Sequence, residues 1–315
     1  MTSADPLQLP ADWIAWVGRL SADGGPSGAE WAATVPQLVA DAMDQWSPTP
    51  DGSVWTGWTA AVLPVRRDGL PLALKVAWPG PDTAGEHLAL RHWAGRGAVR
   101  LVAADPGRGA LLLERLDADR DLRVLDVDAA CEVIGAVLAQ LHVPAPPTIR
   151  RLSDFSARNL ARLTTRTDLP RRFVARVAGL VGELTSDPNC DATLLHVDLH
   201  DQNVLAAERA PWLAIDPQPM AGHPGVELHP MLRNRVAELG TGSAFRWSVR
   251  RRVDVVCDAA GIDEQVARLW TVVVCGFQAG WAAEEGNHEG VSFNIALAKA
   301  LEARAPRASG PGRRA

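Results

Sequence analysis

The run His196-Val197-Asp198-Leu199-His200-Asp201-Gln202-Asn203 decides how this chain is read. Around it, Thr193 to Asp216 reads as strand, loop, strand, turn and strand, with the turn at Ala206-Ala207-Glu208-Arg209, so the polar run is a loop held between apolar strands. In such a loop Asp198 is placed to accept the proton of an incoming hydroxyl. Asn203, five residues on, is placed to turn its carbonyl oxygen toward a magnesium ion on phosphates. A second carboxylate follows in Leu213-Ala214-Ile215-Asp216-Pro217, at the end of an apolar strand, where it can bridge the metal and the β- and γ-phosphates.

The spacing is H-x-D-L-x-x-x-N, the catalytic-loop pattern of eukaryotic-type kinases. An acidic loop with histidines is most often a solvated surface. Here the flanking strands, the second carboxylate and an upstream lysine argue for chemistry instead. A zinc-hydrolase reading of His196, Asp198 and His200 lacks the H-x-H-x-D-H or H-E-x-x-H ligand arrangement.

The upstream lysine is Lys75, in Leu72-Ala73-Leu74-Lys75-Val76-Ala77; it and Lys299 are the only lysines in the chain. A charge interrupting an apolar strand looks like V-A-I-K of the kinase β3 strand, and a buried amine needs an anion. Glu86, at the start of the next helical pattern, is the candidate partner that would fix the amine against the α- and β-phosphates. The other reading of Lys75 is an outward-facing strand residue. No G-x-G-x-x-G covers the phosphates: Asp51-Gly52-Ser53-Val54-Trp55-Thr56-Gly57 lies in the right place but reads equally well as a turn, and no Walker A sequence exists. At Glu114-Arg115-Leu116 an apolar strand meets a lobe junction, where Glu114 and Leu116 are positioned for their backbone to read an adenine edge.

Composition narrows the class. With 315 residues, 47% of them hydrophobic, the chain can bury one large core or two smaller ones. A net charge of −5 argues against a nucleic-acid partner and mildly favours a cationic substrate. The cysteines Cys131, Cys190, Cys257 and Cys275 form no C-x-x-C pair and read as reduced, buried thiols. The longest apolar stretch, around Trp270 to Phe277, reads as too short for a membrane span, and no signal peptide opens the sequence, so a cytoplasmic protein without a membrane partner is expected.

Outward from the loop, residues 11–46 carry helical spacing, Ala60–Val65 and Leu72–Ala77 read as a hairpin around Arg66-Arg67-Asp68-Gly69, and Thr83–Trp93 reads as helix. Leu111–Glu114 is a further strand before the polar stretch Asp117–Asp121, where a lobe boundary falls. Beyond it come helices over Asp126–His142 and Asp154–Leu184, broken at Pro170, and helical patterns from about Met231 to Arg304. The expectation is an α+β, protein-kinase-like, two-lobed fold. Its parts are a small α/β nucleotide-binding lobe over 1–116, a larger mainly helical catalytic and acceptor-binding lobe over 117–305, and a disordered tail over 306–315.

On these residues the chain resembles the aminoglycoside/hydroxyurea phosphotransferase family, most of all its streptomycin 6-kinase members, over about Trp31 to Glu302. The strongest passage runs from Leu194 to Pro230 and includes Leu195-His196-x-Asp198-Leu199-His200-x-x-Asn203-Val204-Leu205-Ala206-Ala207 and Pro211-Trp212-Leu213-Ala214-Ile215-Asp216-Pro217. The resemblance implies transfer of the ATP γ-phosphate to a hydroxyl of streptomycin or a related aminoglycoside or aminocyclitol, giving antibiotic resistance. Another amino sugar or hydroxyurea are the other acceptors it allows. It implies Asp198 as base, Asn203 and Asp216 as Mg2+ ligands and Lys75 as phosphate clamp. Two departures stand out: Val197 replaces the family's usual glycine, and Gly222-His223-Pro224-Gly225-Val226-Glu227-Leu228 replaces G-D-P-x-x-D-L. Charge at His223 depends on pH, so the acceptor pocket is expected to be less anionic; Glu227, Glu284, Glu285 and Glu289 are the acidic candidates near it, the last three reading at least as well as a solvated acidic helix end.

Overall fold

The computed structural model describes residues 7–20 and 25–302, and the tail expected over 306–315 lies outside them. Helix α1 (Ala11–Val17) and helix α2 (Gly28–Trp46) come first. Ser27 and Glu30 close a reciprocal capping box that fixes the start of α2. Short strands β1 (Thr49–Pro50) and β2 (Trp55–Thr56) both pair with β3 (Ala60–Arg67), which pairs with β4 (Leu70–Ala77). Asp68 and Gly69, at φ 52° and 78°, are the two left-handed residues that a tight hairpin with the native twist demands. After helix α3 (Glu86–Trp93) come β5 (Leu101–Asp105) and β6 (Ala110–Glu114), completing an antiparallel sheet ordered β1-β3-β4-β6-β5. The sequence reading did not include β5.

Strand alternation gives this sheet two different faces. Leu63, Val65, Leu72, Leu74, Val76, Ala110 and Leu112 pack under Trp31, Val35, Val39 and Ala42 of α2 and Trp13 and Val17 of α1. Leu111 and Leu113 point the other way and join a second core with Ala89, Leu90 and Trp93 of α3. Lys75 pairs in register with Val62 and Leu111, which puts it on that second face.

Strand β7 (Asp117–Asp121) follows, then α4 (Val127–Leu141), β8 (Val143–Pro144), α5 (Leu152–Thr164), α6 (Arg171–Leu184), β9 (Thr193–Leu195), β10 (Val204–Ala206), β11 (Trp212–Ala214) and β12 (Met220–Gly222). The sequence reading took Asp117–Asp121 as a polar connection. It is instead an edge strand of the three-stranded sheet β11-β10-β7, exposed from Asp117 to Arg120 and buried at Asp121, with its pairing supplied by Leu205 and Ala206. A second small sheet, β12-β9-β8, lies on the other side of the polar loop, so that β9 enters the loop and β10 leaves it.

The remainder is helical: α7 (His229–Leu232), α8 (Gly242–Ala260), α9 (Glu264–Glu284) and α10 (His288–Glu302). Helix α4 crosses α8 at Gly135, where an added Cβ would lie 2.5 Å from the Ala259 Cβ and 2.8 Å from the Val256 carbonyl. The apolar stretch around Trp270 belongs to a helix of 21 residues, longer than the sequence reading allowed and apolar enough by composition to cross a membrane. Its Ala267, Trp270, Val272, Val273, Cys275 and Phe277 are buried in the second core. All four cysteines are buried and free.

Candidate active site

Lys75 has almost no contact with solvent, so its charge must be met from within the fold. Helix α3 begins at Glu86 and brings that carboxylate to it, at 2.6 and 2.8 Å from the amine. Asp216, just beyond β11 and 141 residues along the chain, adds a third bond at 2.5 Å. Burial pulls the Lys75 amine down, but Asp216 and Glu86 together outweigh it and hold the ammonium above its ordinary value. The Lys75 charge in turn holds the Asp216 carboxyl below its usual range. Asp216 is half-exposed and sits at φ 58°, a left-handed turn that aims it back across the sheet.

The loop between β9 and β10 is fixed mostly by side chains bonding to backbone. His196 is fully buried, with Nε2 at 2.9 Å from the Ile215 carbonyl and Nδ1 accepting from the Asp198 N–H at 3.3 Å. Both ring nitrogens are engaged, and among the described residues no group of three or more His, Cys, Asp or Glu side chains is placed to hold a metal ion. The zinc-hydrolase reading is thereby excluded for this loop. Asn203 donates its amide to the Asp198 carbonyl at 2.8 Å, while its own carbonyl accepts from Ile215 N–H at 2.9 Å, drawing Asn203 and the Asp216 segment together. The amide oxygen of Asn203 and Oδ2 of Asp216 meet no donor among the described residues. Two hard oxygens in that position fit a divalent cation of the magnesium type.

Val197 adopts φ 67°, the left-handed conformation that its β-branched side chain disfavours by about 1–2 kcal/mol. The turn is kept by Glu227, whose carboxylate accepts from the His196 N–H at 2.7 Å and the Val197 N–H at 2.8 Å. Burial raises the Glu227 carboxyl, but His142, whose Nε2 lies 3.5 Å from Oε1, together with His196 and its N–H outweighs it and leaves it below its usual value. Glu227 is thus a brace behind the loop, not the acceptor-pocket acid expected from sequence. His223 is likewise structural: it accepts from the Gly225 N–H at 3.0 Å, stacks on Trp270, and burial lowers its pKa. Glu284 is paired with Arg162, while Glu285 and Glu289 are exposed.

Asp198 receives Arg233 on Oδ1 at 2.5 Å and Gln218 on Oδ2 at 3.0 Å. Burial pushes its carboxyl up to about 6, against the opposing pull of Arg233. His200, next to it, is pushed down to about 4 by burial, with Arg233 adding to the effect.

On the sheet side, the Glu114 N–H is taken by the Arg100 carbonyl at 2.9 Å, and its carboxylate is held by Arg209 at 2.8 Å. The backbone N–H and C=O of Leu116 make no hydrogen bond among the described residues. The stretch Asp51–Gly57 forms a broken edge strand, and the hairpin tip is Gly57-Trp58-Thr59. Two indoles of α1 hold that tip: Trp13 Nε1 donates to the Gly57 carbonyl at 2.8 Å and Trp16 Nε1 to that of Trp58 at 3.3 Å. The Trp16 and Trp58 ring centroids are 4.4 Å apart.

The structure therefore brings Lys75, Glu86, Asp198, Asn203 and Asp216 into one site and leaves the Glu114 side chain in a separate ion pair. Sequence reasoning did not single out Arg233, Gln218 or the two indoles; no spacing marks the first two, and the indoles read simply as an apolar helix face.

A family profile described as aminoglycoside/hydroxyurea antibiotic resistance kinase matches residues 45–286. The chain belongs to that family. Among family members, the streptomycin 6-kinase of Streptomyces glaucescens is 40% identical, the alignment covering 96% of this chain and 99% of that protein. The hydroxyurea phosphotransferase of Kitasatospora aureofaciens is also 40% identical, over 95% of this chain and 87% of its own length. Among solved structures, a thermostable mutant of the aminoglycoside phosphotransferase APH(4)-Ia in ternary complex with ADP and hygromycin B superimposes with a TM-score of 0.53 at 15% identity, covering 85% of this chain and 97% of that one. The chain has the expected α+β, protein-kinase-like, two-lobed fold.

Proposed function

We propose that the protein transfers the γ-phosphoryl group of ATP to a hydroxyl of streptomycin or a related aminoglycoside or aminocyclitol, and so confers antibiotic resistance. The observation that carries this is the convergence of Lys75, Glu86 and Asp216 on one side of a buried Asp198 and Asn203. The names of the relatives supply the acceptor class. Lys75, aligned by Glu86, grips the phosphates; Asp198 orients the acceptor hydroxyl and takes its proton; the Leu116 backbone reads the adenine edge. Asn203 and Asp216 would hold Mg2+, which when bound neutralises charge on the β- and γ-phosphates. The division into a nucleotide lobe over 1–116 and an acceptor lobe over 117–305, and a cytoplasmic location, belong to the same proposal.

A second acceptor, hydroxyurea, is favoured by the equal identity to the Kitasatospora enzyme. Incubation with labelled ATP, Mg2+ and a panel of streptomycin, other amino sugars and hydroxyurea, with mass spectrometry of the products, tests both. Phosphorylated streptomycin is expected. Turnover of hydroxyurea alone sinks the aminoglycoside assignment, and no product with any acceptor sinks the kinase reading.

A further inference from the structure

Arg233 is the one cation in contact with Asp198 among the described residues, and its side chain is 44% exposed. Its position is set by the same short segment that braces the loop. Glu227 clamps the His196 and Val197 N–H groups, and six residues later, just past α7, Arg233 reaches Asp198. On its other side, buried Arg252 of α8 donates to the carbonyls of Asn234 and Arg235 at 2.9 and 3.2 Å, holding the residues that follow. The guanidinium is therefore placed relative to the loop by bonds on both flanks.

In this resting arrangement each oxygen of Asp198 already accepts a bond, Oδ1 from Arg233 and Oδ2 from Gln218. An acceptor hydroxyl that approaches Oδ1 competes with Arg233 for that oxygen, and Arg233 is the more exposed of the two partners. Once released, the guanidinium needs another anion, and it has no second carboxylate within ion-pair distance among the described residues. Lys75 is committed to Glu86 and Asp216, and Lys299 lies on α10.

We propose that Arg233 is a catalytic residue that exchanges Asp198 for the phosphoryl group in transfer. The inference rests on the kinase reading above. The acceptor oxygen forms a bond to Pγ, the bond from Pγ to the β-phosphate oxygen breaks with its electron pair leaving on ADP, and the acceptor proton passes to Oδ1 of Asp198. Arg233, displaced from Oδ1, lies against the equatorial oxygens, where negative charge is spread in the transition state. The resting pair thus keeps the base masked until both substrates are present.

The test compares wild type with Arg233→Met and Arg233→Lys, with melting temperatures as the control for folding. Three quantities are read: single-turnover transfer to streptomycin across pH, calorimetric affinity for Mg-ATP, and the tightening of Mg-ADP binding by fluoroaluminate, a planar phosphoryl mimic. For Arg233→Met we expect transfer slower by about 10²- to 10³-fold at every pH, with Mg-ATP affinity little changed and the fluoroaluminate tightening lost. Arg233→Lys should recover part of both losses. Unchanged transfer in Arg233→Met overturns the proposal. So does an effect confined to the acid side of the pH profile, because Arg233 would then only set the ionisation of Asp198. If wild type phosphorylates no acceptor, the kinase reading falls. The fluoroaluminate comparison still decides whether Arg233 meets a phosphoryl group.

Discussion

The Lys75 cluster and the 196–203 loop hold their charged groups in opposite ways. At Lys75, three charges from β4, α3 and the segment after β11 satisfy one another, two of them buried and Asp216 half-exposed. In the loop, charges are used to hold backbone: Glu227 carries two N–H groups, and the His196 ring binds a carbonyl and an N–H. The first arrangement is sensitive to charge balance and indifferent to small changes of shape. The second is sensitive to the path of the chain. This is why Val197 can hold a left-handed turn, while a charge cannot be dropped from the Lys75 cluster so simply.

The largest effect that would sharpen the contrast is at Asp198, where the loop carries its one reacting charge. Asp198→Asn keeps the shape and removes the proton acceptor, so turnover should fall on the order of 10²- to 10⁴-fold with Mg-ATP affinity nearly intact by calorimetry. Asp216→Asn should weaken Mg-ATP binding as well as rate. The opposite pattern would exchange their roles.

Next in size is Lys75→Met, which leaves buried Glu86 without its bidentate partner. Removing one member of a buried pair typically destabilises by about 3–5 kcal/mol. Adding Glu86→Gln should recover much of that stability in denaturant titrations, but not nucleotide affinity, because no cation is restored. If the double variant is no more stable than the single one, the cluster is not governed by charge balance.

Glu227→Gln breaks the loop side instead. A glutamine can accept from only one of the His196 and Val197 N–H groups, and an unsatisfied buried donor destabilises by about 1–3 kcal/mol. The pH dependence has a definite sign. The Glu227 carboxyl lies below its usual value, so its contribution is present above the unfolded glutamate range and is lost as pH falls through the folded pKa. Thermal scans in acid should therefore show a steeper loss for wild type than for Glu227→Gln; parallel curves would contradict the brace.

The smallest effect is at Val197, where φ 67° is strained for a β-branched residue. Val197→Gly removes that strain but frees the unfolded chain, so a net stabilisation of about 1 kcal/mol or less is expected, read as a small rise in melting temperature. A fall would mean that the valine side chain contributes more by packing than the turn loses by strain.

The reacting loop was legible in the sequence because its chemistry is local: Asp198 and Asn203 sit on one short turn, and the apolar strands that hold it lie directly beside it. Lys75 and Glu86 were legible because a charge in a buried strand demands a partner. Other features depend on what the fold brings from afar. Asp117–Asp121 is a strand only because Leu205 and Ala206 offer it an edge. Glu227 looked like a pocket acid because its residue type suits a cationic ligand, and only its burial behind His196 shows otherwise. Arg233 follows an apolar turn with no periodic signal, and Gln218 lies in an irregular connection.

The paired indoles of Trp16 and Trp58 have a spectroscopic consequence. The chain contains 12 Trp and no Tyr, so its near-ultraviolet signal is dominated by indole. Two indoles at 4.4 Å and tilted by 59° couple their electronic transitions strongly. Since one ring sits on α1 and the other at the tip of the β2–β3 hairpin, circular dichroism in that region reports the seating of the hairpin on its helix, without any label, as nucleotide is added.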